Sequence, residues 1–374
     1  MKITSKLGIL ALFTSLLLLM AVYETQAAPG INANYYCLMD TASRQVLAGK
    51  NMDVMRPMAS TTKVMTAVLA AEYCNKEEIA KVSNHAAKTA PYTVSLKSGQ
   101  ELTIEELMKI ALLRSANDAA VVIAEHVAGD EEFFAHLMNL KAFCLGALNT
   151  HFQNSSGLPA EQHYSTAYDL ALISQYSLQN PETAKWIATT EAYFQHPSNK
   201  QPVKITNTNP LLRTYPGANG VKTGTTAAAG PCLIGSAVRN NRQLIAVILN
   251  SGNRAGDCTK LLNYGFDSVK ECKLIDKMEL FKEIFLSDGE NPLLPIYPAR
   301  DITVWQEDEQ PEFHKRLSMD YQISPPVVAG EKVGRLDLYM YAKYVGSVDL
   351  VAGSSVYRQR RPWLNAVKSL LKKE

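Results

Sequence analysis

Several chemistries are missing from this 374-residue chain. Its 38 basic and 36 acidic residues leave a formal charge of only +2, so its charge balance gives no reason to expect nucleic acid as a partner. The six cysteines form no Cys-x-x-Cys and the seven histidines no His-Glu-x-x-His, so no metal is expected, structural or catalytic, and no motif asks for a cofactor. The Gly-x-Ser-x-Gly elbow of α/β-hydrolases is absent as well. No internal repeat is visible. His126 falls inside an apolar helical stretch and reads as structural.

What is present is an ordinary globular composition, 47% apolar and 20% charged, long enough for one large domain and one small one. Lys2 and Lys6 precede an apolar stretch from Leu7 to Met20, and small residues follow near Ala27 and Ala28. That is the layout of a secretory signal peptide over residues 1–28. The cysteines are scattered; Cys37 and Cys232 sit in strand-like apolar runs, where a free thiol behaves as a small hydrophobe.

Tyr35–Asp40 and Val46–Ala48 read as a hairpin, and Val64, Met65, Val68 and Leu69 place Ser60 at the start of a buried helix. Further helices are expected over 102–113, 119–127 and 166–177, with strands over 232–238 and 244–249. Strands at both ends of this region with helices between imply a sheet whose first and last strands are neighbours. The expected fold is α/β (α+β, three-layer), an antiparallel sheet flanked by helices, over residues 29–275. Residues 276–356, punctuated by proline and alternating in hydropathy at Leu336, Leu338 and Met340, read as a small all-β domain. Over 357–374, Trp363, Leu364, Val367, Leu370 and Leu371 share one helical face opposite lysines. Such a helix suits a membrane interface or simple packing; at about 18 Å it is too short to span a bilayer.

Three short motifs carry the chemistry: Ser60-Thr61-Thr62-Lys63, Ser115-Ala116-Asn117 and Lys222-Thr223-Gly224. Singly they mean little, since Ser369-Leu370-Leu371-Lys372 and Ser251-Gly252-Asn253 repeat two of them. Their order and context make the set specific. Helical positions i and i+3 share a face, so the Ser60 hydroxyl and Lys63 amine meet. A lysine takes a serine proton only if burial or a second cation destabilises its ammonium, and Lys222 supplies that cation. Asn117 can hold a substrate amide and Ser115 relay a proton to the leaving group. Gly224 lets a substrate backbone lie against the strand, with the Ser60 and Thr225 N–H groups as oxyanion donors.

The chain resembles the D-alanyl-D-alanine carboxypeptidases, low-molecular-mass penicillin-binding proteins of the S11 serine peptidase family. The likeness extends to Met58–Thr66, Arg114–Ala120, His163–Ala171, Gly220–Thr226 and Leu261–Phe266. It implies a serine transpeptidase/β-lactamase-like domain in which Ser60 is acylated, Lys63 is its general base, and Ser115, Asn117 and Lys222 complete the network. Thr223, Gly224 and Thr225 would border the substrate, and Arg254 would grip its terminal carboxylate. The implied reaction removes the last D-alanine from peptidoglycan pentapeptide stems, and β-lactams acylate the same serine. The resemblance also implies secretion and a terminal helix on the outer face of the bacterial cytoplasmic membrane. Two alternatives are a DD-endopeptidase cutting crosslinks and a non-catalytic wall-binding or penicillin-sensing protein. A class A β-lactamase would need a deacylating glutamate, and Glu161 is the only acid between Asn154 and His163. Pro231 departs from the family pattern and places a bulge or an edge in its strand.

Overall fold

The computed structural model describes residues 28, 30–307, 311–319, 323–340 and 343–359. The expected signal peptide, but for Ala28, and the terminal helix beyond Gln359 lie outside the described residues. The chain divides into two compact units between Asp267 and Ser268.

In the first unit, β1 (Tyr35–Asp40) turns into β2 (Val46–Lys50), and the chain returns much later as β3 (Ala218–Thr226), β4 (Gly230–Arg239) and β5 (Arg242–Leu249). The five strands form one antiparallel sheet in the order β2-β1-β5-β4-β3. First and last strands are therefore neighbours, as expected, with Cys37 opposite Val247. Alternation along the strands gives each face its own apolar set. Cys37, Met39, Ile245, Val247 and Leu249 join the core formed with the helices inserted between β2 and β3. The other face meets the helix Arg254–Asn263, where the Cys258 thiol contacts the Ala246 carbonyl. The result is three layers.

The inserted helices begin and end on local signals. A 3₁₀ turn, Ala59–Thr62, leads into α1 (Lys63–Tyr73). Thr103 caps α2 (Ile104–Leu113) by accepting from the Glu106 N–H at 3.1 Å. The helix α3 (Asn117–Ala128) stops at Gly129, whose φ of +89° suits only glycine. Asp130 caps α4 (Glu131–Leu145), and Thr166 caps α5 (Ala167–Gln179). Pro231 overturns one expectation: β4 lies inside the sheet, and no register shift occurs near it. The proline stands at the beginning of its strand, where a missing N–H is tolerated.

The second unit is all β. A five-stranded sheet is built from Lys282–Phe285, Leu293–Pro298, Phe313–Met319, Lys332–Met340 and Lys343–Ala352, beside a two-stranded ladder. Leu336 and Leu338 are fully buried, as their alternation implied. The strand Lys270–Ile275, which the sequence boundary at 275 put with the first domain, pairs with Ile302–Gln306 of this unit.

Candidate active site

The site starts at the turn before α1. Ala59 has a positive φ of 50°, and the Thr61 hydroxyl donates to the Met58 carbonyl at 2.7 Å, so the chain arrives at Ser60 in a fixed direction. One turn on, the Lys63 Nζ lies 3.0 Å from the Ser60 Oγ. It also donates to the Asn117 Oδ1 at 2.7 Å and to the Ser156 carbonyl at 2.6 Å. Lys63 is fully buried.

The opposite wall is the entry to α3. Ser115 holds a left-handed conformation (φ 64°), which ends α2 and turns the chain so that Asn117 opens α3. The Asn117 side-chain amide donates to the Ala90 carbonyl at 3.0 Å, which turns its oxygen toward Lys63. Asp118, next along, accepts from the Val94 and Leu96 N–H groups, each at 3.1 Å, and straps that segment over the start of the helix. The Ser115 hydroxyl has no hydrogen-bond partner among the described residues.

The third wall is β3. A Cβ added to Gly224 would stand 2.8 Å from the Ser60 nitrogen and 3.1 Å from the Thr61 nitrogen. The glycine therefore serves a purpose the sequence reading did not give it, letting the strand reach the Ser60 backbone. The Thr223 hydroxyl turns away to Thr208 at 2.6 Å. Arg254, at the start of its helix, brings Nη1 to the Gly224 carbonyl at 2.8 Å, the Thr225 hydroxyl at 2.9 Å and the Cys232 carbonyl at 3.0 Å. Its Nε and Nη2 have no partner among the described residues, so half of the guanidinium fork is free for an anion.

Charge is confined here. Burial, and then the Lys222 cation, hold the Lys63 amine well below the usual lysine range, against smaller opposing effects from Asp118 and Glu131. Lys222 is buried too; desolvation, followed by Arg254, brings it down to about 7. Its Nζ bonds only the Thr223 carbonyl, at 3.0 Å, among the described residues. Two buried lysines whose charges oppose one another favour losing a proton between them. The arrangement can thus present a neutral amine to a serine hydroxyl beside a residual positive charge.

A family model for D-alanyl-D-alanine carboxypeptidases, peptidase family S11, matches residues 22–253. The chain belongs to this family. A second model, the C-terminal domain of penicillin-binding protein 5, matches residues 270–358. Among curated relatives, the D-alanyl-D-alanine carboxypeptidase DacF of Bacillus subtilis is 32% identical over 311 residues, 80% of each chain. DacC of Escherichia coli is 30% identical over 359 residues, covering 90% of this chain and 87% of its own. Among solved structures, penicillin-binding protein 5 of Haemophilus influenzae superposes with a TM-score of 0.71 at 26% identity, covering 88% of this chain and 99% of its own.

The carboxypeptidase motifs are only part of the site. Sequence reasoning missed the Ser156 carbonyl, an acceptor with no side-chain signature. It also missed why glycine follows: a Cβ on Gly157 would lie 2.0 Å from the Ala59 carbonyl oxygen. His163 opens one of the matching motifs, and the sequence assigns it no role of its own. Its Nδ1 accepts from the Gln153 N–H at 3.0 Å, so its proton sits on Nε2 and is shared with the Thr62 hydroxyl at 2.8 Å. Thr62 in turn donates to Ala59 at 2.8 Å. This chain of bonds fastens the loop 153–163 to the Ser60 turn. Glu161 is exposed and takes no part.

Proposed function

We propose that this chain is a serine-type D-alanyl-D-alanine carboxypeptidase acting through an acyl-enzyme on Ser60. The observation that carries the reading is the buried Lys63 amine, 3.0 Å from the Ser60 hydroxyl and held short of its proton by burial and Lys222. Lys63 takes the hydroxyl proton as Oγ attacks the carbonyl between the two D-alanines. The oxyanion forms where Gly224 brings β3 against Ser60, within reach of the Ser60 and Thr225 N–H groups. Asn117, already oriented by Ala90, holds the substrate amide. The free side of Arg254 receives the terminal carboxylate, and Lys222 adds positive charge to the same end. Ser115, half-buried and without a competing partner, relays the proton to the departing D-alanine amine. Water then hydrolyses the ester. β-Lactams present a similar amide and carboxylate and acylate the same serine.

The same reading places the enzyme outside the cytoplasm, with residues 1–28 as the export signal. The basic amphipathic segment 357–374 rests on the outer face of the cytoplasmic membrane, near its peptidoglycan substrate. No helix among the described residues is long and apolar enough to cross a membrane.

D-Alanine release from a diacetyl-Lys-D-Ala-D-Ala peptide tests the reading. The parent protein should release D-alanine, and Ser60→Ala should abolish both release and labelling by a fluorescent penicillin. Penicillin labelling of Ser60 without release from this peptide would instead favour an endopeptidase.

A further inference from the structure

Far from Ser60, three residues that the proposed reaction does not use converge on one point. Cys74 follows the end of α1, Glu78 lies in the turn after it, and His126 occupies the last turn of α3. The Cys74 Sγ, a Glu78 carboxylate oxygen and a His126 ring nitrogen all lie within 4.8 Å of one another. The His126 Nε2 and Glu78 Oε2 are 3.0 Å apart.

We infer that Cys74, Glu78 and His126 bind a divalent zinc ion whose fourth position is left to water. A thiolate, an imidazole and a carboxylate form a donor set of intermediate softness, which suits Zn2+ better than Mg2+ or Ca2+. Tetrahedral zinc places its donor atoms roughly 3.3–3.8 Å apart, so side-chain rotations of about an ångström complete the site. The backbones need not move. The Cys74 N–H bonds the Ala70 carbonyl at 3.1 Å, the Glu78 N–H bonds Asn75 at 3.1 Å, and the Glu78 carbonyl accepts from Ile104 at 2.9 Å.

The surroundings fit a ligand shell. Glu78 offers Oε2 to the site while Asn75 holds its Oε1 with two bonds, at 2.8 and 3.1 Å. Partners of this kind orient metal-binding carboxylates. A cavity of about 230 Å³, walled by Ala70, Asn75, Met108 and Glu182 among others, reaches Cys74 of the three residues. Burial and the Glu78 charge push the Cys74 thiol up to about 11; a bound cation reverses that balance, releasing the thiol proton to solvent. The ion would tie the C-terminal ends of α1 and α3, the two helices whose opposite ends carry Lys63 and Asn117. The 11 residues of α1 put it about 16 Å from the Lys63 end, so it fixes the spacing of these helices and takes no part in the chemistry.

The test uses the reduced full chain, stripped with a chelator and titrated first with Co2+ and then with Zn2+. The expected result is one equivalent of cobalt with a thiolate-to-cobalt absorption band, displaced by zinc, and a melting temperature raised by zinc. Cys74→Ser and His126→Gln should each weaken binding by about 100-fold or more, whereas Cys144→Ser, at an exposed thiol, should change nothing. Penicillin labelling of Ser60 reports that each variant is folded; if one fails to label, the other decides. Absence of the thiolate band, or a band that survives in a folded Cys74→Ser or His126→Gln protein, overturns the inference.

Discussion

Replacing Gly224 by alanine probes the contact on which the proposed oxyanion geometry depends. The new Cβ would sit 2.8 Å from the Ser60 nitrogen, 3.0 Å from the Ala59 Cβ and 3.1 Å from the Thr61 nitrogen. These atoms belong to a tightly bonded turn and cannot swing aside as a flexible side chain would. Non-bonded carbon contacts settle at about 3.5 Å, so β3 and the Ser60 turn must part by roughly 0.5–0.7 Å. Such overpacking costs on the order of 1–3 kcal/mol of stability. Its effect on rate should be larger, because the two proposed oxyanion donors lie on opposite sides of the gap. A displaced donor costs about 10²–10³-fold, or roughly 3–4 kcal/mol of barrier. The assay is the second-order rate constant for acylation of Ser60 by a fluorescent penicillin, with a thermal melt on the same sample. Gly346→Ala is the control, since nothing lies within 4 Å of its added Cβ. An acylation rate within about threefold of the parent would refute the assignment of the oxyanion site to this contact.

Two further outcomes follow from the charges. Acylation requires neutral Lys63, and the Lys222 cation favours that neutral form, so Lys222→Met should move the rising limb of the acylation-rate profile to higher pH; an unmoved limb would show that burial alone sets the lysine. His163, lowered to about 4 by burial and then by His151 and Lys63, is neutral in the fold while the unfolded histidine titrates near 6.5. The unfolded chain thus binds more protons between these values, and stability present above pH 6.5 is lost toward pH 4, by at most on the order of 3 kcal/mol. His163→Gln, which can still donate to Thr62, should flatten this part of the profile in urea unfolding measured at several pH values; an unchanged slope would contradict it.

The proposed catalytic residues were legible because each stands in a short motif at the beginning of a helix or along a strand, where spacing alone decides what faces what. Ser60 and Lys63 needed only helical periodicity. What escaped was non-local: the Lys63 bond to Ser156 spans 93 positions, and its acceptor is a backbone carbonyl that any residue carries. Gly157 is required by a close approach to Ala59 that the sequence does not display. The helix α4 was missed for a different reason. Phe134, Met138 and Ala142 do trace a buried face, but Phe133, Leu140 and Phe143 are exposed between them and blur the apolar period, although Asp130 and Gly146 marked its ends. The cluster of Cys74, Glu78 and His126 has no motif spacing because two helices bring it together. Pro231 misled because the rule against proline in inner strands loosens at a strand's beginning.

The three acceptors around Lys63 have a consequence that appears on counting hydrogens. An ammonium carries three and satisfies Ser60, Asn117 and Ser156 together; a neutral amine carries two and one lone pair. The Ser156 carbonyl can only accept, and the Asn117 oxygen is held as an acceptor because its NH₂ is committed to Ala90. Only the serine hydroxyl can reverse its role. Losing one proton therefore aims the lone pair of Lys63 at the Ser60 hydrogen with no change of rotamer, and the resting hydrogen-bond pattern already selects which atom will be the base and which bond it will break.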